Sequence, residues 1–191
     1  MDGGQDFLMK RLISMARLTA DPSTLIRTIY EEEQRNPDNH MVYVLKGWAQ
    51  SGMGKNTAAL ESFDRAIELN PRSAWGYYGK GEALRELRRF DEALKCFSRA
   101  VELKPRRADF WLSKGFMEEE VGMLKAAGES FKKAISLGDR SGWAQYGQSR
   151  LLVYEERLEE ALDECRNAMQ LSPDEEEFKM HEAFILDLIK D

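Results

Sequence analysis

Several kinds of residue are scarce in this chain, and each scarcity removes a class of function. It has two cysteines, Cys96 and Cys165, and they form no CxxC pair, so the expectation is two reduced packing residues, with Cys96 partly exposed beside the apolar Phe97. The only histidines, His40 and His181, have no second histidine or cysteine at ligand spacing, which leaves a metal site unsupported. No cofactor is expected. No run approaches the ~18 apolar residues of a membrane span, and the start Met1-Asp2-Gly3-Gly4-Gln5-Asp6 has neither a basic nor an apolar leader region, so no membrane insertion and a cytoplasmic location are expected. A net charge of −6, from 34 acids and 28 bases without a basic patch, argues against nucleic acid as a partner.

What is abundant is charge, at 32% of residues, and helix-forming sequence with only five prolines. Alanines at 59, 93, 127 and 161 recur every 34 residues. The same interval carries Phe63, Phe97, Phe131 and Cys165, then Ala66, Ala100, Ala134 and Ala168, then Leu69, Leu103, Leu137 and Leu171. Prolines follow at 71, 105 and 173. Each interval reads as two helices, such as Ala74 to Leu87 and Asp91 to Leu103, joined at the polar turn Arg88-Arg89. Glycine at 81 and alanine at 93 leave room for close helix approach, and Phe97 fills the space beside them.

This pattern resembles the tetratricopeptide repeat. Units starting at His40, Ala74 and Ala108 place Tyr43, Tyr77 and Trp111 at the fourth position and Gly47, Gly81 and Gly115 at the eighth. The unit starting at Gly142 departs, with Gln145 and Ser149 at those places and Asp139 where a proline would precede it. The resemblance implies an all-α fold, an α-α superhelix of paired antiparallel helices. It is read as a single domain over 1–191. A degenerate repeat occupies 6–39, three repeats 40–73, 74–107 and 108–141, an atypical one 142–175, and a C-terminal capping helix 176–191. The apolar residues Phe178, Phe184, Ile185, Leu188 and Ile189 supply that helix's buried face, and Ser172-Pro173-Asp174-Glu175 is expected to start it. Leu137-Gly138-Asp139-Arg140-Ser141-Gly142 is the softest joint: Gly138 is expected to end one helix left-handed and Ser141 to cap the next.

In this family the first helix of each unit lines a concave groove, through its positions 2, 5, 9, 12 and 13. Carried onto this chain, those positions give Met41, Val44, Trp48, Trp75, Tyr78, Glu82, Arg85, Leu112, Phe116, Glu119, Trp143, Tyr146 and Arg150, with Ser51, Glu86, Asp109, Glu120, Val153 and Tyr154 at the margins. Six of the first thirteen are aromatic: Trp48, Trp75, Tyr78, Phe116, Trp143 and Tyr146. A solvated wall has no structural need of them together, so a peptide or partner helix is the expected ligand; the alternative is that the rings pack against neighbouring units or the capping helix. Acids at Glu82, Glu86, Glu119 and Glu120 favour a partly basic ligand, diluted by Arg85 and Arg150. The chaperone-binding subset clamps a terminal carboxylate with lysines and asparagines; only Lys10 matches it here.

The segment Ser51-Gly52-Met53-Gly54-Lys55-Asn56-Thr57 fails as a phosphate loop, because Ala49 and Asn56 stand at required positions and no strand precedes it. Acid runs such as Glu118-Glu119-Glu120 lack a companion nucleophile. The function read from the sequence is therefore a non-catalytic protein-interaction scaffold, not an enzyme. Two alternatives remain: a homo-oligomer that uses its own helix as ligand, and an accessory subunit of an enzyme complex.

Overall fold

The computed structural model describes residues 22–190, with side chains from Ile26 onward. The expected first helix of the degenerate repeat, Lys10 included, lies outside those residues. All regular structure among them is helical: α1 (Pro22–Arg35), α2 (His40–Gly52), α3 (Asn56–Leu69), α4 (Ala74–Glu86), α5 (Phe90–Leu103), α6 (Ala108–Glu120), α7 (Leu124–Ser136), α8 (Trp143–Tyr154), α9 (Leu158–Leu171) and α10 (Glu176–Lys190). The chain forms two compact units, one ending at Leu103 and the other beginning at Lys104.

Helix pairs are made by a recurring turn. At Gly54, Arg88, Gly122 and Glu156 the backbone is left-handed, with φ of 73°, 58°, 79° and 58°, and these four residues are again 34 apart. The following N–H then donates to a carbonyl five residues back: Lys55 to Gln50, Arg89 to Leu84, Met123 to Glu118 and Arg157 to Leu152. These bonds close the last turn of α2, α4, α6 and α8 and reverse the chain into the partner helix. The lysine-containing segment 51–57 is one of these turns. Gly138, at φ 85°, ends α7 in the same way, with Asp139 N–H donating to Ala134 at 3.1 Å.

Within the first unit, α2 pairs with α3 and α4 with α5; within the second, α6 pairs with α7 and α8 with α9, and α10 closes against α9. The paired helices meet through alanines that are fully buried: Ala59 and Ala66, Ala93 and Ala100, Ala127 and Ala134, Ala161 and Ala168. Beside them lies Phe63, Phe97 or Phe131, also fully buried. A Cβ added at Gly47, Gly81 or Gly115 would come within 2.8 Å of that ring. A second glycine at the next unit's sixth position shares the site: a Cβ on Gly147 would lie 2.6 Å from Phe131, and one on Gly79 closer still to Phe63.

The last pair solves the same packing problem differently. Cys165 stands in the phenylalanine's place and Ser149 in the glycine's. The smaller sulfur leaves room for the hydroxyl, which donates to the Ala161 carbonyl at 2.6 Å and lies 3.1 Å from His181 Nε2 on α10. The Cys165 thiol lies 3.3 Å from the Phe178 carbonyl, also on α10. The atypical repeat is thus the one built to receive the terminal helix.

Two expectations at the chain reversals are corrected. Gly142, left-handed at φ 78°, holds the N-cap of α8, and Ser141 sits one residue earlier, where its hydroxyl accepts from Trp143 N–H at 3.3 Å. A Cβ on Gly142 would meet the Ala168 carbonyl at 2.7 Å, so the chain needs glycine there for closeness as well as for φ. Ser172 does not start α10; its hydroxyl donates to the Ser141 carbonyl at 3.0 Å, and the helix begins at Glu176.

Candidate functional site

The expected lining residues fall on α2 and α4 in the first unit and on α6 and α8 in the second. In the first unit, Asn39 accepts from Met41 N–H and Ser73 from Gly76 N–H, fixing where α2 and α4 begin and hence which stripe each turns outward. The Trp48 and Tyr78 rings lie 5.8 Å apart, tilted by 40°, and both are half-buried. Trp48 leans edge-on against Phe63, and Tyr78 against Trp75 and Phe97. Phe63 and Phe97 are core, so the cluster is a partly open layer set on a rigid floor. Val44 is fully buried and Trp75 is 5% exposed, which removes both from the surface a ligand meets. Met41 is half-buried.

Polar groups in this layer are of two kinds. The Glu82 carboxylate is ion-paired with Arg85 at 2.9 Å, and Arg85 also reaches Glu86 at 3.1 Å. The indole N–H of Trp48 and the hydroxyl of Ser51, one helical turn further along α2, are buried without a hydrogen-bond partner. A buried donor left unpaired costs about 1–3 kcal/mol, so the two are a local cost within α2.

In the second unit the rings are largely spoken for. Leu112 and Phe116 pack on the core of Ala127, Phe131, Ala134, Ala144 and Leu151, with Phe116 5.0 Å from Phe131. Tyr146 is 7% exposed, stacked on Phe178 of α10 at 5.1 Å, and its hydroxyl donates to Glu177 at 3.1 Å. Burial and the neighbouring Glu177 push its phenol up to about 12. Trp143 meets the same Phe178 edge-on at 4.9 Å. For Trp143 and Tyr146, packing against the terminal helix is therefore what the structure shows.

Glu119 and Arg150 form an ion pair at 3.1 Å, and the guanidinium lies over the Tyr146 ring. Burial raises the Glu119 carboxyl above its ordinary value, and Arg150 opposes that rise. The acids expected to attract a basic ligand are thus largely neutralised by the arginines beside them in both units. Cys96 is buried rather than exposed, with its thiol pushed up to about 11 by that burial. Both cysteines are free thiols. Among the described residues no cluster of three or more ligating side chains forms, and no helix is long and apolar enough to cross a membrane.

The tetratricopeptide-repeat profile matches residues 44–105 and 78–142. The chain belongs to the tetratricopeptide-repeat family. Its fold is similar to that of YrrB, a tetratricopeptide-repeat protein with an unusual peptide-binding site, at 20% identity and a TM-score of 0.72 over 85% of this chain and 84% of that one. It is also similar to MamA, at 22% identity and 0.70 over 78% and 86%. The third likeness is to TTC0263, a thermophilic tetratricopeptide-repeat protein of Thermus thermophilus, at 22% identity and 0.68 over 96% and 95%. Comparison with curated proteins gives no match. Its fold class is accordingly the all-α, α-α superhelix of this family, and a protein-interaction scaffold is the general role that goes with it.

Proposed function

We propose that the chain is a non-catalytic scaffold that takes a peptide or partner helix on the outward stripe of α2 and α4, with their ring layer as the anchor. The observation that carries this is the pair of half-open aromatic faces, Trp48 and Tyr78, set against the core rings Phe63 and Phe97. Aromatic side chains on rigid elements give contact area at little entropic cost. The peptide-binding site of YrrB, on a similar fold, accords with this reading.

The test uses proteins captured from host lysate on the parent and on two variants, Trp48→Phe and Trp48→Ala/Tyr78→Ala, each shown folded by circular dichroism. Trp48→Phe keeps a ring but a smaller one, and should weaken the captured ligand by about threefold through lost contact area. The double variant should lose it. Full retention by both variants refutes the anchor.

A further inference from the structure

Helix α10 was expected to bury Phe178, Phe184, Ile185, Leu188 and Ile189. It buries Phe178 and Ile185 only; Phe184 is 51% exposed, and Met180 is 72% exposed. The 34-residue register explains which residues go where. Phe178 stands one interval after the buried Ala144, and Ile185 one interval after the buried Leu151. Met180, Phe184 and Leu188 stand one interval after Tyr146, Arg150 and Tyr154. The helix therefore keeps the facing of a first helix of a repeat and turns an apolar row out on the stripe that α8 uses. The contacts Trp143–Phe178, Tyr146–His181 and Ser149–His181 advance along both helices together, so α8 and α10 run parallel and their stripes lie side by side. Tyr154, exposed at the end of α8, continues the row.

This row sits in the most acidic part of the chain. Residues 155–191 hold thirteen acids and four bases, so the acid excess of the whole molecule is carried there. Three of the four bases are engaged by acids at 3.0 Å or less, in Arg166–Glu182, Lys179–Glu176 and Lys190–Asp187, and Arg157 is held by both Glu155 and Glu160. An apolar row set in a net negative field matches one kind of occupant.

We infer that the outward row of α10, Met180, Phe184 and Leu188, together with Tyr154, is a docking surface for a basic amphipathic helix of a partner protein. It rests on the scaffold reading above, and carries the facing of α8's outward stripe onto the terminal helix within the second unit. The partner's apolar face covers the row, and its flanking lysines or arginines face the acids of residues 155–177.

The probe is a synthetic 18-residue helical peptide with a leucine stripe and lysine flanks, beside a twin with glutamate flanks, titrated by fluorescence anisotropy against the full chain. The parent should bind the lysine peptide at least about tenfold more tightly than its twin, and Met180→Ser/Phe184→Ser should lose about tenfold or more in affinity through lost apolar burial. Both substituted residues are exposed, and the variant gives up only the Phe184–His181 ring contact, so it should keep its fold, which circular dichroism checks. Equal affinity for the two peptides, or no change on Met180→Ser/Phe184→Ser, overturns the inference. So does a concentration-dependent doubling of mass that the same variant abolishes, because the row is then covered by a second copy. Binding lost in Trp48→Ala/Tyr78→Ala but kept in Met180→Ser/Phe184→Ser leaves the scaffold reading standing and removes this one.

Discussion

Phe131 fills the space between Gly115 and Gly147, where an added methyl group at either glycine would come within 2.7 Å of its ring. Glycine at those places is a requirement of volume rather than of backbone freedom, and phenylalanine is its counterpart. Phe131→Ala should destabilise the fold by about 3–5 kcal/mol, read from the denaturant midpoint at unchanged slope. Cys165 and Ser149 confirm the same rule by inverting it. A different strain sits at Arg88 and Glu156, which hold a left-handed conformation that Gly54 and Gly122 adopt without a Cβ. Arg88→Gly and Glu156→Gly should each stabilise the chain by about 1 kcal/mol, the cost of a side chain in that region, with a rise in melting temperature as the readout. The ion pair between Arg157 and Glu160, on the surface next to Glu156, contributes little to that balance.

At the scale of the element, α10 is where two sequence signals disagreed. Ser172-Pro173 has the chemistry of a helix start, whereas the 34-residue interval places the start at residue 176, in step with Ala74 and Ala108. The interval prevailed because the Pro71, Pro105 and Pro173 turns are equivalent, each three residues ahead of its helix. The helices and their pairing were legible because a repeated packing unit writes the same small and large residues many times. The terminal helix was read less well, since amphipathic spacing alone does not say which apolar stripe meets the preceding pair. Its attachment also has a titratable group. His181 lies against Tyr146, Phe184 and Ser149, and burial first, then the charge of Arg150, hold its pKa below 6.5, with Glu177 opposing. The fold thus favours the neutral ring, so the stability it contributes is complete above 6.5 and is lost as pH falls through the lowered folded value. Hydrogen exchange of residues 176–190, corrected for intrinsic rates, should be faster at about pH 5 than at about pH 7.5 in the parent, and this difference should shrink in His181→Gln.

For the whole molecule, the candidate site was partly legible. The family offset placed Trp48, Trp75 and Tyr78 together as a cluster, and the Tyr78 ring does meet both of the others. It could not tell an open ring from a closed one, because that depends on what packs over it: Val44, Trp75 and Tyr146 are shut by neighbours, and Trp143 by α10. Nor could it foresee that the stripe's acids are paired with Arg85 and Arg150, while the net negative charge gathers after residue 154. The central claim is that ligands lie on the outward stripe of the first helices α2 and α4. Hydrogen exchange of the full chain with and without the captured ligand tests this most directly. Binding should slow exchange in α2 and α4, around Trp48 and Tyr78, and leave α3 and α5 unchanged; protection confined to the second helices α3, α5, α7 and α9 would contradict it.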